Sequence, residues 1–225
     1  MKKLKLYRIG IVFVISILLS SCKLGRFVVY NFADIKDYKK FPSRSLVSND
    51  KKFKFTSTDN GKYPKSLKMG NDVDISLDKL LEDNKTVAFL IIKNDTIQYE
   101  KYFKGYNEES IIPSFSMAKS VTSILIGCAI DDGLIKSIDE PIINYIPELE
   151  KNGFEKVTIK HLLQMTSALK FSESYFNPFG EAASFYYGRN LKKEISKLKL
   201  KGKPGEKFEY VSGNTQLLGL VLERS

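Results

Sequence analysis

Ser-x-x-Lys spacing occurs six times in this Ser- and Lys-rich chain, at Ser20, Ser48, Ser76, Ser116, Ser167 and Ser196, so the spacing alone selects nothing. The copy at Ser116 and Lys119 stands where the chemistry needs it. An extended stretch, Ile111-Ile-Pro-Ser-Phe115, runs there into a helical pattern in which Met117, Val121, Ile124, Leu125, Cys128 and Ala129 recur at three- and four-residue intervals. Residues three apart on a helix share a face, so Lys119 is predicted to reach the Ser116 hydroxyl. A helix start offers free backbone N–H groups and a positive dipole end to a developing oxyanion. The apolar turns that follow are predicted to strip water from the Lys119 ammonium, the condition under which a lysine can take up a serine proton. The chemistry these residues could do is nucleophilic attack on a carbonyl carbon.

The elements that must position this pair are legible around it. Val87–Ile92 and Thr96–Phe103 flank Asn94-Asp95, a hairpin signal. A short helix through Leu77, Leu80 and Leu81, capped by Asp74 or Ser76, precedes the hairpin. After the Ser116 helix, Gly133 marks a C-terminal stop. Asp139-Glu-Pro141 opens a short helix that Pro147 ends, and Thr158 is the expected N-cap of Ile159–Thr166. Pro204-Gly205 marks a turn, and Leu217, Leu218, Val221 and Leu222 belong to a further helix. Cys128, among apolar neighbours, is expected to be a buried, inert thiol. His161 is the only histidine and hence the only possible base of a Ser-His-Asp triad; its place beside Leu162 and Leu163 points to a partly buried structural imidazole.

The segment Ser114-Phe-Ser-Met-Ala-Lys-Ser-Val-Thr-Ser123, followed by Gly127 and Asp132–Pro141, resembles the first motif region of the class C β-lactamase-like serine hydrolases. That group includes class C β-lactamases, DD-peptidases, esterases and 6-aminohexanoate-dimer hydrolases. Val157–Ser167 and Pro204-Gly-Glu-Lys-Phe-Glu-Tyr210 with Leu217-Leu-Gly219 resemble later regions of the same family, in order, over residues 76–225. The resemblance implies a catalytic role for Tyr210, whose phenol beside an ammonium can relay the serine proton. It also implies an α/β (α+β) β-lactamase/transpeptidase-like fold, a mainly antiparallel sheet flanked by helices plus a helical region. Class C β-lactamases usually carry Tyr-x-Asn, and this chain has Tyr210-Val-Ser212. Ser212 then stands where the amide would contact substrate, closer to the 6-aminohexanoate-dimer hydrolase and esterase members. Ala168 replaces a usual glycine. The family's third motif, a Lys/His-x-Gly on a later strand, lies beyond Ser225, so the chain is expected to be the N-terminal part of such a domain.

Lys and Arg exceed Asp and Glu by ten in 225 residues, but four of the 36 cations lie within the first eight positions and the rest are scattered without an aromatic-basic motif. A solvated basic face is expected, and no nucleic-acid partner. Met1–Arg8 is cationic, Ile9–Leu19 apolar, and Ser20-Ser21-Cys22 small, the order of an export signal. Leu19–Cys22 resembles the bacterial lipobox, which implies lipid attachment at Cys22; a plain signal peptide or a short uncleaved anchor is the alternative. Residues 1–21 are thus read as a lipoprotein signal, 22–75 as a tether with an irregular extension, and 76–225 as the hydrolase domain.

The expected activity is that of an envelope-anchored serine hydrolase acting on a small amide or ester substrate, with no metal or organic cofactor. The alternative is an impaired or truncated penicillin-binding-like lipoprotein that holds cell-wall peptides.

Overall fold

The computed structural model describes residues 10–12, 15, 23–30, 32–47, 53–70 and 73–225. Cys22 and most of residues 1–21, the segment expected to be a lipoprotein signal, lie outside the described residues. No helix of the described residues is long and apolar enough to cross a membrane. The chain forms two compact units, residues 35–113 and residues 114–225 joined by the described residues before Ile35.

In the first unit, β1 (Thr56–Ser57), β2 (Ser66–Met69), β3 (Val73–Ser76), α2 (Leu77–Asp83), β4 (Ala88–Lys93) and β5 (Thr96–Tyr102) follow in order. Asn94 and Asp95 both take positive φ, 51° and 54°, the pair of left-handed residues that a tight two-residue hairpin turn requires. Strands β4 and β5 pair antiparallel with a register shift between Ile91 and Ile92, and β1 runs parallel to β5. The segment 22–75, expected from the sequence to be a tether with an irregular extension, therefore holds β1, β2 and most of β3. Gly61 helps make this possible: a Cβ there would lie 1.7 Å from the Gln98 carbonyl oxygen, so only glycine allows that approach. Between the two capping candidates, Ser76 is the N-cap of α2 and accepts from Lys79 N at 3.3 Å. Leu77 and Leu81 pack with Tyr99 and Phe103 into a small core. Above it the Asp78 carboxylate accepts from Tyr99 Oη at 2.7 Å and from Lys101.

The second unit is helical. It holds α1 (Lys23–Tyr30), α3 (Ala118–Asp131), α4 (Ile159–Leu163), α5 (Glu181–Tyr187), α6 (Leu191–Ile195) and α7 (Ser212–Arg224), with 3-10 turns at Phe115–Met117, Ile142–Asn144, Pro147–Asn152 and Phe154–Lys156. The helix expected between Asp139-Glu-Pro141 and Pro147 is thus a single 3-10 turn, Ile142–Asn144, and Pro147 opens the next turn instead of ending one. A two-stranded ladder joins β6 (Leu169–Lys170) to β7 (Lys199–Leu200). The core lies where α3, α4 and α7 meet, around Ile126, Leu162, Leu217 and Val221, and extends through Ile142 and Phe154. Burying each such side chain is worth roughly 1.5–3 kcal/mol, and this core holds the largest set of them.

Two features of α3 differ from the periodicity. Ile126 and Ala129 face the core, whereas Val121, Ile124, Leu125 and Cys128 are exposed. The apolar residues cover more than one face of this helix, so spacing could not identify the buried one. Cys128 is accordingly a free, exposed thiol rather than a buried one.

Candidate active site

Phe115, immediately before Ser116, has φ of 45°, the left-handed region that an aromatic residue rarely enters. This strained residue opens the 3-10 turn Phe115–Met117, which leads into α3, and Met117 N donates back to Ser114 O at 3.1 Å. The turn leaves Ser116 exposed, two residues before α3 begins. Lys119, on the first turn of α3, donates from Nζ to Ser116 Oγ at 3.1 Å. The i,i+3 relation expected from the sequence therefore holds across the 3-10 to α junction. The enclosure expected around Lys119 does not: the side chain is half-buried, and the apolar residues of the next turns, Val121, Ile124 and Leu125, face outward.

Tyr210 reaches the same oxygen from the far end of the unit, donating from its hydroxyl to Ser116 Oγ at 2.9 Å. The Lys119 ammonium sits 5.2 Å from the centre of its ring. The hydrogen bond with Ser116, followed by the interaction with Lys119, holds the phenol below its ordinary value; partial burial and the Glu173 carboxylate oppose this.

Tyr210 belongs to an extended stretch without strand partners, and its placement is built from the loops beside it. Residues 165–168 supply the scaffold: Met165 O accepts from Glu209 N at 2.8 Å, Thr166 O from Gly205 N at 2.8 Å, and Ala168 O from Lys201 N at 2.9 Å. Met165 and Ala168 both take positive φ, 57° and 56°. Ala168 thus keeps the left-handed conformation for which a glycine would be suited, and accepts the strain of a methyl group there. Beneath this loop, Ser167 and Asn214 are fully buried and bonded, Oγ to Oδ1, at 2.5 Å, and Asn214 Nδ2 donates to Met165 Sδ at 3.3 Å. Buried polar groups need such partners, and here they lock the Met165 loop to α7.

Ser212, expected at a substrate-contacting place, turns its hydroxyl to Glu173 and does not line the cleft around Ser116. Its Oγ donates to Glu173 Oε2 at 3.0 Å, and its backbone N donates to Glu173 Oε1. The start of a helix has free N–H donors, and a carboxylate seated there is favoured by both hydrogen bonding and the dipole. Glu173 and Asn214 are the site-building residues that sequence reasoning missed. Neither carried a signal that sets it apart: Asn214 stands beside Thr215 and Gln216 on the same helix, and Glu173 lies in a polar loop. His161 plays the structural part expected: its Nδ1 accepts from Thr158 N at 3.2 Å while Thr158 Oγ1 accepts from His161 N at 3.3 Å, a reciprocal cap on α4.

Ser116, Lys119 and Tyr210 line an open cleft of about 590 Å³ whose other walls include Phe208, Met165 and Leu163. A nucleophilic hydroxyl bonded to a lysine and a tyrosine, above an apolar wall, can attack a carbonyl and move the protons that acyl transfer requires. Among the described residues, no group of three or more His, Cys, Asp or Glu side chains is placed to hold a metal ion.

This fold and this arrangement are those of the β-lactamase-like family. The chain belongs to the beta-lactamase family, which it matches over residues 77–225. Among curated relatives it is similar to a 6-aminohexanoate-dimer hydrolase of Paenarthrobacter ureafaciens, 26% identical over 159 residues, which cover 66% of this chain and 40% of the relative. Among solved structures it is similar to a Bacillus anthracis protein assigned as a 6-aminohexanoate-dimer hydrolase, with a TM-score of 0.65 and 25% identity, over 77% of this chain and 48% of that one. A Bacteroides dorei structure assigned as a β-lactamase shares the fold, with a TM-score of 0.52 and 22% identity over 65% of this chain and 44% of that one. The chain spans less than half the length of each of these three proteins.

Proposed function

We propose that this protein is a serine hydrolase that cleaves an amide or ester bond through a covalent Ser116 acyl-enzyme. The observation that carries this reading is the convergence of Lys119 Nζ and the Tyr210 hydroxyl on one atom, Ser116 Oγ, at 3.1 and 2.9 Å. Beside the Lys119 ammonium, Tyr210 gives up its proton more readily than a free tyrosine does. Its phenolate then accepts the Ser116 proton as Oγ bonds to the substrate carbonyl carbon. The carbonyl electron pair moves onto oxygen, and its return expels the amine or alcohol, which takes the proton from Tyr210. Water attacks the resulting ester by the same relay and restores Ser116.

The apolar wall formed by Phe208, Met165 and Leu163 fits an aliphatic acyl chain. The 6-aminohexanoate-dimer hydrolase among the relatives supports a linear amide as one substrate type, and Tyr210-Val-Ser212 in place of Tyr-x-Asn argues against β-lactams. The enzyme would work from the bacterial cell envelope, exported and lipid-anchored through Cys22. A second reading, a penicillin-binding-like lipoprotein that binds cell-wall peptides without turnover, is favoured by the withdrawal of Ser212 onto Glu173, which takes up the hydroxyl at that substrate-facing place.

A fluorophosphonate probe followed by peptide mapping tests the reading. Adduct at Ser116, lost in Lys119→Ala, is the expected result. A folded protein that never labels at Ser116 would overturn it in favour of the binding role.

A further inference from the structure

We propose that Glu173 is a positioning residue, which clamps Ser212 at the start of α7 and so fixes the Tyr210 hydroxyl on Ser116, while its charge opposes that of Lys119. This rests on the reading of Ser116 as nucleophile and Tyr210 as its proton relay.

The geometry is that of a chelate. One carboxylate oxygen takes the backbone N–H of Ser212 and the other takes its hydroxyl, 39 positions away in sequence. Tyr210 lies two residues upstream, on an extended stretch whose tie to the Met165 loop at this end is the single bond from Glu209 N. The clamp adds a two-point tie at Ser212 to the Glu209 bond, the Lys201–Glu209 ion pair and the Asn214 bonds that also hold this stretch. The N-cap of α7, Val211, supplies no side-chain cap hydrogen bond, so the Glu173 carboxylate takes that place at the helix start.

The charges facing Tyr210 come from three directions. Lys119 approaches from α3, at 5.2 Å from the ring. Glu173 and Tyr175 approach from the segment after β6, and Tyr175 is itself kept neutral by burial, which raises its phenol. On its own segment Glu209 is paired to Lys201 at 2.6 Å. Glu173 is therefore the acidic group that offsets Lys119 at the phenol, and its charge retains a proton that the ammonium would otherwise draw away.

Two variants separate the mechanical part from the electrostatic one. In Glu173→Gln the amide oxygen still accepts the Ser212 N–H and the amide nitrogen can donate to its hydroxyl oxygen, so the clamp persists without its charge. Glu173→Ala removes both. The expected result is that Glu173→Gln shifts the rise of Ser116 fluorophosphonate labelling to lower pH with a plateau within about threefold of wild type. Glu173→Ala should lower the plateau about tenfold or more at every pH.

The Tyr210 titration is read independently of labelling by carbon-13 NMR of tyrosine labelled at Cζ, the signal assigned with Tyr210→Phe. Its midpoint should fall in Glu173→Gln. A midpoint unchanged in Glu173→Gln, or a labelling plateau unchanged in Glu173→Ala, would overturn the proposal. Absence of labelling in wild type with a shifted Tyr210 midpoint would instead overturn the nucleophile assignment and leave the electrostatic role of Glu173 standing.

Discussion

Tyr210 donates a 2.9 Å hydrogen bond to Ser116 across 94 positions of sequence, and that bond joins the end of an unpaired stretch to a strained turn. It sets the pH behaviour expected of the site. The relay is active as the phenolate, so reactivity is full above the Tyr210 pKa in the folded protein and is lost as pH falls through it. Because Ser116 and Lys119 lower that value, the rise is expected below the ordinary phenol midpoint of ~10. Tyr210→Phe should slow fluorophosphonate labelling by about 10²–10⁴ and remove that rise, as expected for loss of a positioned proton carrier. A stopped labelling assay across pH measures both.

Gly213 is the second residue of α7, next to Ser212, which Glu173 clamps. A Cβ there would stand 2.7 Å from Leu169 Cδ2 and 2.8 Å from Phe171 Cδ2, both in the core. Gly213→Ala is expected to cost about 1–3 kcal/mol of stability through overpacking, read by urea denaturation. It should also slow labelling at Ser116, since the shift it forces is transmitted to Tyr210 three residues away.

The far end of the same helix is tied down by Arg224, which donates to both oxygens of Glu148 at 2.8 and 2.7 Å and to Tyr145 O at 3.0 Å. The hydrogen bonds from Arg224 hold the Glu148 carboxyl below its usual range. A depressed carboxylate contributes stability that is present above its unfolded pKa of ~4.3 and is lost as pH falls through the lower folded value. Glu148→Gln should therefore lower stability by about 0.5–1 kcal/mol at neutral pH, the scale of a partly exposed ion pair. The difference should shrink in denaturation curves taken at progressively more acidic pH.

The envelope location is tested at Cys22. In a bacterial host, radiolabelled palmitate should be incorporated into the protein, and the protein should sediment with membranes. Cys22→Ser should abolish incorporation. Equal incorporation in that variant, or none in wild type, would remove the lipid anchor from the proposal.

How much was readable before the fold depended on how local the cause was. The Asn94-Asp95 turn, the Thr158 cap and the Ser116–Lys119 spacing follow from backbone preferences and contacts within a few residues, and all three are found in place. Tyr210 was reached through motif resemblance, not through any property of a tyrosine among twelve. The strands at 56–57, 66–69 and 73–76 escaped notice because two-to-four-residue strands in a polar stretch have no clear period.

For this protein the sequence by itself determined the Asn94-Asp95 turn, the helix start at Thr158 and the pairing of a serine with a lysine one helical turn away, since short-range geometry leaves little choice there. Tertiary structure alone decided which face of α3 is buried, that Cys128 is exposed, and that Ser212 gives its hydroxyl to Glu173 instead of the cleft. Each of those outcomes depends on which distant groups arrive to compete for the same surface or the same hydrogen bond, and the order of residues along the chain does not encode that locally.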